Sequence, residues 1–338
     1  MNARRRTVVV ALAVAVVAVL YLGVAREGPG LAELWQWLGS SFGGDPLATM
    51  DEFSFANLRL PRLLVAAFGG AALALAGAVM QATFRNQLAS PDLVGTAAGA
   101  AFGGALAIVL GWSKRAVIAT PLASLAGALA ATSLVFVLAR AHGRFAVSTL
   151  LLAGLALHNL VGALTSFVVT FRFNNYTASS DVLFWLMGGL EARTWDHAAI
   201  TSIGCMVFAA MVWPRRRELD LLTLHDDTAH SLGVDATSAR RWLVWCACGL
   251  TATTVSNTGG IAFVGLVVPH LARLLVGPSH RVLLPACAVL GALLLVVSDW
   301  VCRLAPPEAN LRLGVVTALF GAPYFLFLLV RQRRGESS

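Results

Sequence analysis

The sequence is a succession of long apolar runs, and this pattern constrains the fold more than any other feature. The runs lie at 7–24, 60–81, 93–111, 116–139, 147–170, 196–213, 241–258, 260–276, 283–302 and 313–330. A bilayer span needs about 20 mostly apolar residues. Because 58% of the 338 residues are hydrophobic and only 12% are charged, a water-soluble globule is excluded. We predict an all-α integral membrane protein with about ten transmembrane helices and a single domain over 1–338.

The positive charges indicate how this bundle is oriented. The arginines form short clusters between apolar runs rather than one polar face, which favours a topology signal over nucleic-acid binding. If both termini are cytoplasmic, most of the arginines fall on the inner side. The run at 7–24 follows Arg4, Arg5 and Arg6 and fits either a cleaved signal peptide or a retained helix. We favour the retained helix, because its removal would leave an odd number of spans.

Several kinds of chemistry are missing from the sequence. Lys114 is the only lysine and has no phosphate-loop context, so the chain cannot build its own nucleotide-hydrolysing site. Cys246 and Cys248 would point about 200° apart on a helix and cannot share a metal, so we predict no metal site and buried free thiols. An intramembrane enzyme fits worst, since no paired carboxylates or nucleophile and base occur at workable spacing. Asp299 is the only acid well inside an apolar run. An ion-coupled carrier tends to keep ionisable residues within its spans, so this scarcity argues against that class of transporter.

Local signals predict where some helices begin and end. Ser90 followed by Pro91 and Asp92 predicts a sharp helix start at Pro91. In the longer polar segment after Pro214, a short helix should be capped by Asp226 and ended by Gly233, with Asp235 capping the next helix. Asp299 and Arg303 have the spacing of an ion pair within one helix. His158 and Asn159 lie in the middle of a span, where His158 either donates to a neighbouring backbone or contacts substrate.

Longer strings then resemble a known family. These are Leu58-Arg-Leu-Pro-Arg62, Gly77-Ala-Val-Met-Gln-Ala-Thr-Phe-Arg-Asn-Gln-Leu88, Trp185-Leu-Met-Gly-Gly189, Gly260-Ile-Ala-Phe-Val-Gly265 with Pro269-His-Leu-Ala-Arg273, and Gly314-Val-Val-Thr-Ala-Leu-Phe-Gly321 with Pro323. In this order they resemble the permease family of bacterial type II ABC importers for iron chelates, haem and cobalamin, over about residues 57 to 331. The resemblance implies a multi-pass subunit of the bacterial inner membrane that pairs with a second copy of itself. It also implies two cytoplasmic ATPase subunits that bind the ATP, a periplasmic substrate-binding protein, and no cofactor in this chain.

The resemblance also implies roles for particular residues. Arg59, Arg62 and Arg303 match arginines that dock the binding protein, which fits exposed arginines that form carboxylate pairs, although interfacial anchoring is the alternative. Residues 214–240 match the cytoplasmic coupling segment that contacts the ATPase, with Asp226, Asp227, Ala229, His230, Ser231, Leu232 and Gly233 in its short helix. Asn86, Leu88, Ser148 and Thr149 match the gate of the path, where Gln87 replaces the usual proline. His270 and Arg273 are expected to secure the inner end of their span.

The expected function follows from these implications. We expect a permease subunit, not an enzyme, that moves a bulky iron chelate such as haem or a ferric siderophore inward by alternating access. Hydrolysis by the partner ATPase would supply the energy. A cobalamin permease of the same family is the alternative, and an ion-coupled secondary transporter is a further one.

Overall fold

The computed structural model describes residues 55–140, 147–171, 176–224, 230–306 and 309–335. Its α-helices are α1 (Leu60–Thr83), α2 (Thr96–Val109), α3 (Ala119–Arg140), α4 (Val147–Phe171), α5 (Tyr176–Leu186), α6 (Trp195–Val212), α7 (Arg216–Leu222), α8 (Ala236–Thr258), α9 (Val264–Val276), α10 (His280–Leu304) and α11 (Leu313–Gly335). A π-helical turn, Phe55–Arg59, leads into α1, and a 3₁₀ helix, Pro91–Val94, precedes α2. The described residues contain no β-strand.

Helix α1 is the centre of the bundle. Every residue from Gly69 to Thr83 is buried, so this half of the helix is covered on all sides. It is built mainly from alanine, glycine and leucine, and Pro61 stands in its first turn, where a missing N–H costs nothing. A helix that is apolar all round belongs inside a bundle. Helices α6, α8, α9 and α10 pack around it, and we call its two ends the Arg62 end and the Thr83 end.

Two glycine pairs set how closely α1 meets its neighbours. A Cβ built on Gly70 would lie 2.2 Å from the carbonyl oxygen of Gly291 in α10. A Cβ built on Gly77 would lie 1.9 Å from the carbonyl oxygen of Gly265 in α9. Both distances are far below van der Waals contact, so any side chain at these positions would push two backbones apart. Small residues at helix contacts are the usual means of close packing in membranes.

A second group of helices, α2 to α4, lies beside this centre. Gly99 and Gly127 bring α2 and α3 into backbone contact, since a Cβ on Gly99 would lie 2.4 Å from the Gly127 carbonyl oxygen. The hydroxyls of Thr96 and Thr132 share a buried hydrogen bond of 2.9 Å between the same two helices. Because α2 and α3 both pack against α8, this second group joins the centre through α8.

The helices agree closely with the sequence predictions. Each predicted span from 60–81 to 313–330 coincides with a helix, while 7–24 lies outside the described residues. The start at Pro91 is confirmed, but it begins a single 3₁₀ turn that ends at Gly95, with φ +78°, and α2 begins only at Thr96. Asp235 caps α8 as predicted, accepting hydrogen bonds from the N–H groups of Thr237 and Ser238. Helix α5 was not predicted, because it is too short for a span.

Length and hydropathy identify which helices could cross a membrane. In the described part of the chain five are long and apolar enough, and α2, α9 and the first part of α11 are shorter apolar helices. Helix α8 is long but rich in threonine and serine, and it is buried almost throughout from Leu243 to Thr258. A helix covered by its neighbours needs no lipid-facing apolar surface. The total of ten spans and the cytoplasmic position of both termini stay predictions.

The contact between α1 and α10 gives a direct test. Gly70→Ala should lower the free energy of unfolding by roughly 2 to 3 kcal/mol, because the new methyl group meets backbone that cannot move aside. Gly162→Ala in α4 is the matched control, since a Cβ there meets nothing within 4 Å. Thermal unfolding of the detergent-solubilised protein measures both. Equal melting temperatures for the two variants would contradict the packing described here.

Candidate functional site

A cavity of about 690 Å³ lies between α1, α8, α9 and α11. Its lining also includes the Pro91–Val94 turn, the end of α5 and the loop from Gly260 to Phe263. The polar side chains in this lining are those of Ser90, Asp92 and Thr251, and the described residues place no lysine, arginine or histidine in it. The cavity is therefore apolar, with one acidic group, and offers no cationic partner to an anion.

The predicted gate residues lie next to this cavity in sequence, on two elements. Asn86 and Leu88 are exposed in the loop that joins α1 to Pro91. The Asn86 Oδ1 accepts a 2.9 Å hydrogen bond from the N–H of Leu88, and the Asn86 carbonyl accepts one of 3.0 Å from Ala89. These bonds fix the turn without a proline at Gln87, so the departure from the family pattern is compatible with an ordered loop.

The other two gate residues, Ser148 and Thr149, belong to the first turn of α4. Farther along α4, a Cβ on Gly154 would lie 1.9 Å from the Leu93 carbonyl oxygen. Helix α4 therefore packs directly against the 3₁₀ helix that follows the gate loop. The structure links the two sequence-distant gate elements through this contact, and their gating role stays a prediction.

The Thr83 end connects α1 to the predicted coupling segment, residues 214–240. Arg240 is buried, and its Nε donates a 3.1 Å hydrogen bond to the carbonyl of Thr83. Arg85 in the gate loop donates from Nη1 to the carbonyl of Leu224, also at 3.1 Å. The segment therefore contacts the loop after α1 through Leu224 in its middle, and the end of α1 through Arg240 at its own end.

Most of the short coupling helix lies at or beyond the limits of the described residues. Asp226, Asp227 and Ala229 are outside them, so the Asp226 cap stays a prediction. His230 and Ser231 are helical, and Leu232 is exposed in the following turn. Gly233 has φ +82°, and its N–H donates to the His230 carbonyl at 2.9 Å, which confirms the predicted helix end.

The Arg62 end carries a two-point ion pair between α1 and α10. The Arg62 Nε and Nη2 donate to the two carboxylate oxygens of Asp299 at 2.9 and 2.8 Å. The Asp299 side chain is 1% exposed and that of Arg62 is 20% exposed. Bidentate pairing of this kind is strong and fixes orientation. Helix spacing predicts a pair of Asp299 with Arg303, four residues along, and cannot reveal this partner on another helix.

This geometry changes the basis of the docking prediction. That prediction assumed exposed arginines, but Arg59 is only 9% exposed and Arg62 is committed to Asp299. The exposure assumption is wrong for these two, because the start of α1 turns its arginines toward the bundle. Arg303, in the last turn of α10, is half-buried. The docking role itself stays a prediction for all three.

Two further arginines, Arg193 and Arg312, lie in the loops that follow α5 and precede α11. Arg312 forms an ion pair with Glu191 and stacks 4.4 Å over the ring centroid of Phe184 in α5. In the loop between α5 and α6, Arg193 donates to the carbonyl of Gly189 at 3.2 Å. Burial lowers the pKa of Arg193 to about 10, so this guanidinium still carries its charge at neutral pH.

Gln81 is a structural residue that the sequence interpretation missed. Its Nε2 donates to the carbonyls of Gly265 and Leu266 in α9, at 3.3 and 3.2 Å, and its Oε1 accepts from Arg273. These bonds confirm that Arg273 secures its end of the span, and His270 contributes an edge contact with the ring of Tyr324. The sequence does contain a signal for this role, since Gln81 is a lone glutamine near the end of an otherwise apolar helix.

His158 is exposed on α4, within Coulombic range of Asp92 in the cavity lining. It has no hydrogen-bond partner among the described residues, so the structure does not show the predicted hydrogen bond from His158 to a neighbouring backbone.

Four of the five cysteines are buried free thiols, and Cys302 is half-buried, which confirms the predicted thiols with one partial exception.

Comparison with known proteins decides the family. A family model described as the FecCD transport family matches residues 9–331. The chain belongs to the FecCD transport family. It is 42% identical over 273 residues to the cobalamin import system permease protein BtuC of Halobacterium salinarum, covering 81% of this chain and 72% of that protein. It is 41% identical over 277 residues to the Fe(3+) dicitrate transport system permease protein FecD of Escherichia coli, covering 81% and 84%.

A solved structure agrees with this FecCD assignment. The fold matches that of a metal-chelate type ABC transporter in an inward-facing conformation, with a TM-score of 0.84, 29% identity and coverage of 97% of this chain and 99% of that one. This FecCD chain is therefore a multi-pass membrane permease subunit of a metal-chelate or cobalamin type ABC importer. Subunits of this family lack an ATPase site of their own, and they lie in the inner membrane in bacteria.

The Arg62–Asp299 pair predicts a specific pattern of stability. Asp299→Asn should cost about 3 kcal/mol of folding stability, because it leaves a mostly buried guanidinium without its carboxylate. Replacing both partners, with Arg62→Met and Asp299→Leu, should recover most of the loss, since neither charge is then buried alone. Arg115→Met, at an exposed arginine, is the control for charge removal. Additive losses in the double variant would show that the two groups do not act as a pair.

Proposed function

We propose that this permease imports a bulky metal chelate of low negative charge, with a cobalamin-type corrinoid as the first candidate. The observation that carries this proposal is the charge of the cavity lining. It combines an apolar surface with the carboxylate of Asp92 and, among the described residues, has no basic side chain. Such a lining offers an anion no cationic partner and accepts a neutral molecule.

The chemistry of the candidates separates them. A corrinoid carries amide side chains around its rim, haem carries two carboxylates, and ferric dicitrate is an anion. The sequence-based expectation put haem and siderophores first, and the cavity charge reverses that order. Relatives named for cobalamin and for ferric dicitrate are about equally similar to this chain. A ferric siderophore is the second candidate, because the relative named for ferric dicitrate resembles so much of the chain.

The path is proposed to form between two copies of the chain. Only 22% of the apolar window of α4 is buried within one chain. Leu152, Leu160 and, on α11, Leu319 are 68%, 58% and 65% exposed. Large exposed apolar faces mark contacts with lipid or protein. Because α11 lines the cavity and α4 packs against the turn that also lines it, a second copy on these faces would enclose a central path.

The energy is proposed to come from two cytoplasmic ATPase subunits that contact the 214–240 segment. When ATP draws these subunits together, the segment moves with them. Its Arg240 pulls on the Thr83 carbonyl, and its Leu224 carbonyl pulls on Arg85, so the end of α1 and the Asn86–Leu88 loop move together. The path then opens outward to substrate from a docked binding protein, and hydrolysis resets it. Docking through Arg303, with Arg59 and Arg62 in support, is part of this proposal.

Substrate preference tests the cavity argument. In vesicles that contain the permease, its ATPase and its binding protein, labelled corrinoid should accumulate at least about tenfold more than haem or ferric dicitrate, since an anion that enters this apolar lining loses hydration and finds no cationic partner there. Uptake of an anionic chelate with no corrinoid uptake would overturn the substrate assignment but leave the transporter class intact.

The Arg85 contact gives a test of coupling. Arg85→Met keeps the apolar stem but removes the donor to Leu224, so the complex should assemble and hydrolyse ATP while transport per ATP falls several-fold. Arg281→Met is the control, since Arg281 is exposed just after the loop that follows α9. Transport and hydrolysis are measured on the same vesicles. If both fall in parallel for Arg85→Met, the contact does not couple them.

A further inference from the structure

A second cavity, of about 420 Å³, lies at the Thr83 end between α3 and α8 and is separate from the central one. Helix α8 contributes Ser238, Arg241, Trp242 and Trp245 to it, at the spacing of one helix face. The facing side comes from the last turns of α3, where the ring of Phe136 lies 5.4 Å from that of Trp245. Arg215, after α6, completes the lining. We call this cavity the arginine–tryptophan pocket.

The pocket holds more positive charge than its protein neighbours neutralise. Arg215 forms an ion pair of 3.1 Å with Glu218 and stacks 5.4 Å from the ring centroid of Trp242. Arg241 has no ion-pair or hydrogen-bond partner among the residues that the structure describes, and its Nε is buried. A buried donor without an acceptor costs free energy, most of all when it is charged. The pocket is therefore complementary to a ligand that carries acceptor oxygens and negative charge.

The surroundings of the pocket indicate where that occupant comes from. Val137, which lines the pocket, is 64% exposed, and Leu134 and Leu138 beside it are each 46% exposed, so this end of α3 presents an apolar surface. Trp213 and Trp242 are each 42% exposed, and Arg216 and Arg215 stack on them. Exposed tryptophan beside arginine is typical of the membrane–water interface. The pocket therefore lies among residues typical of that interface, beside an apolar surface suited to acyl chains.

We propose that the arginine–tryptophan pocket binds the phosphate of an anionic phospholipid. Arg241 and the unshared N–H groups of Arg215 donate to the phosphate oxygens, and the acyl chains lie along Leu134, Val137 and Leu138. Basic pockets between membrane helices commonly recognise lipid headgroups in this way. The site does not depend on which chelate the protein carries. Arg241 is adjacent to Arg240, which donates to the Thr83 carbonyl at the end of α1. Lipid binding would therefore also stabilise the contact between Arg240 and Thr83.

Native mass spectrometry of the full-length protein tests the proposal. With phosphatidylglycerol and phosphatidylcholine offered in equal amounts, the unaltered protein should retain phosphatidylglycerol preferentially. The double variant Arg215→Gln with Arg241→Gln should lose at least about tenfold of that retention, because two charge-assisted contacts are removed. Arg217→Gln is the matched control, since this exposed arginine lies two residues from Arg215 but outside the pocket. It should retain the lipid like the unaltered protein.

Several results would overturn the proposal. Equal retention of the two lipids by the unaltered protein would do so even if the double variant failed to fold. If Arg217→Gln lost phosphatidylglycerol to the same extent, the retention would depend on the overall positive charge of the protein and not on the pocket. Displacement of the lipid by millimolar inorganic phosphate would identify a free-anion site instead. Displacement by the ATPase subunit, together with weaker ATPase binding in Arg241→Gln, would assign the pocket to a protein carboxylate.

Discussion

The rest of the structure depends on the backbone contact of α1 with α9 and α10. In a bilayer, apolar side chains gain little from leaving lipid, so helices associate through close packing and polar contacts. Gly70 and Gly77 allow that packing because their neighbours, Gly291 and Gly265, also lack side chains. Once α1 is enclosed on these sides, the positions of α6 and α8 follow, and the cavity forms between α1, α8, α9 and α11.

Polar groups then fix α1 at both of its ends. The Arg62–Asp299 pair joins it to α10 at one end, while Gln81 and the Thr83 carbonyl join it to α9 and α8 at the other. Interiors packed this closely shift as units rather than deform continuously. Movement of the coupling segment would therefore reach the gate loop as a displacement of whole helices, which is the kind of motion that alternating access requires.

Local chemistry made much of this predictable. The Asp235 cap, the Gly233 end and the start at Pro91 depend on residues within a few positions of one another, so the sequence alone contains them. The Arg62–Asp299 pair spans 237 residues, and no helical spacing could reveal it. Helix α5 escaped prediction because it has 11 residues, too few to cross a membrane. The gate and docking residues came only from the family resemblance, and the substrate preference needed the cavity, which is assembled from distant segments.

In the proposed mechanism this chain is a conduit driven by the ATPase of another subunit. Concentrative uptake of labelled chelate into vesicles tests it most directly, with and without the ATPase subunit and in the presence of an ionophore. We predict uptake that requires the ATPase and ATP and survives the ionophore. Accumulation by the permease alone that collapses with the ionophore would identify an ion-coupled carrier and contradict it.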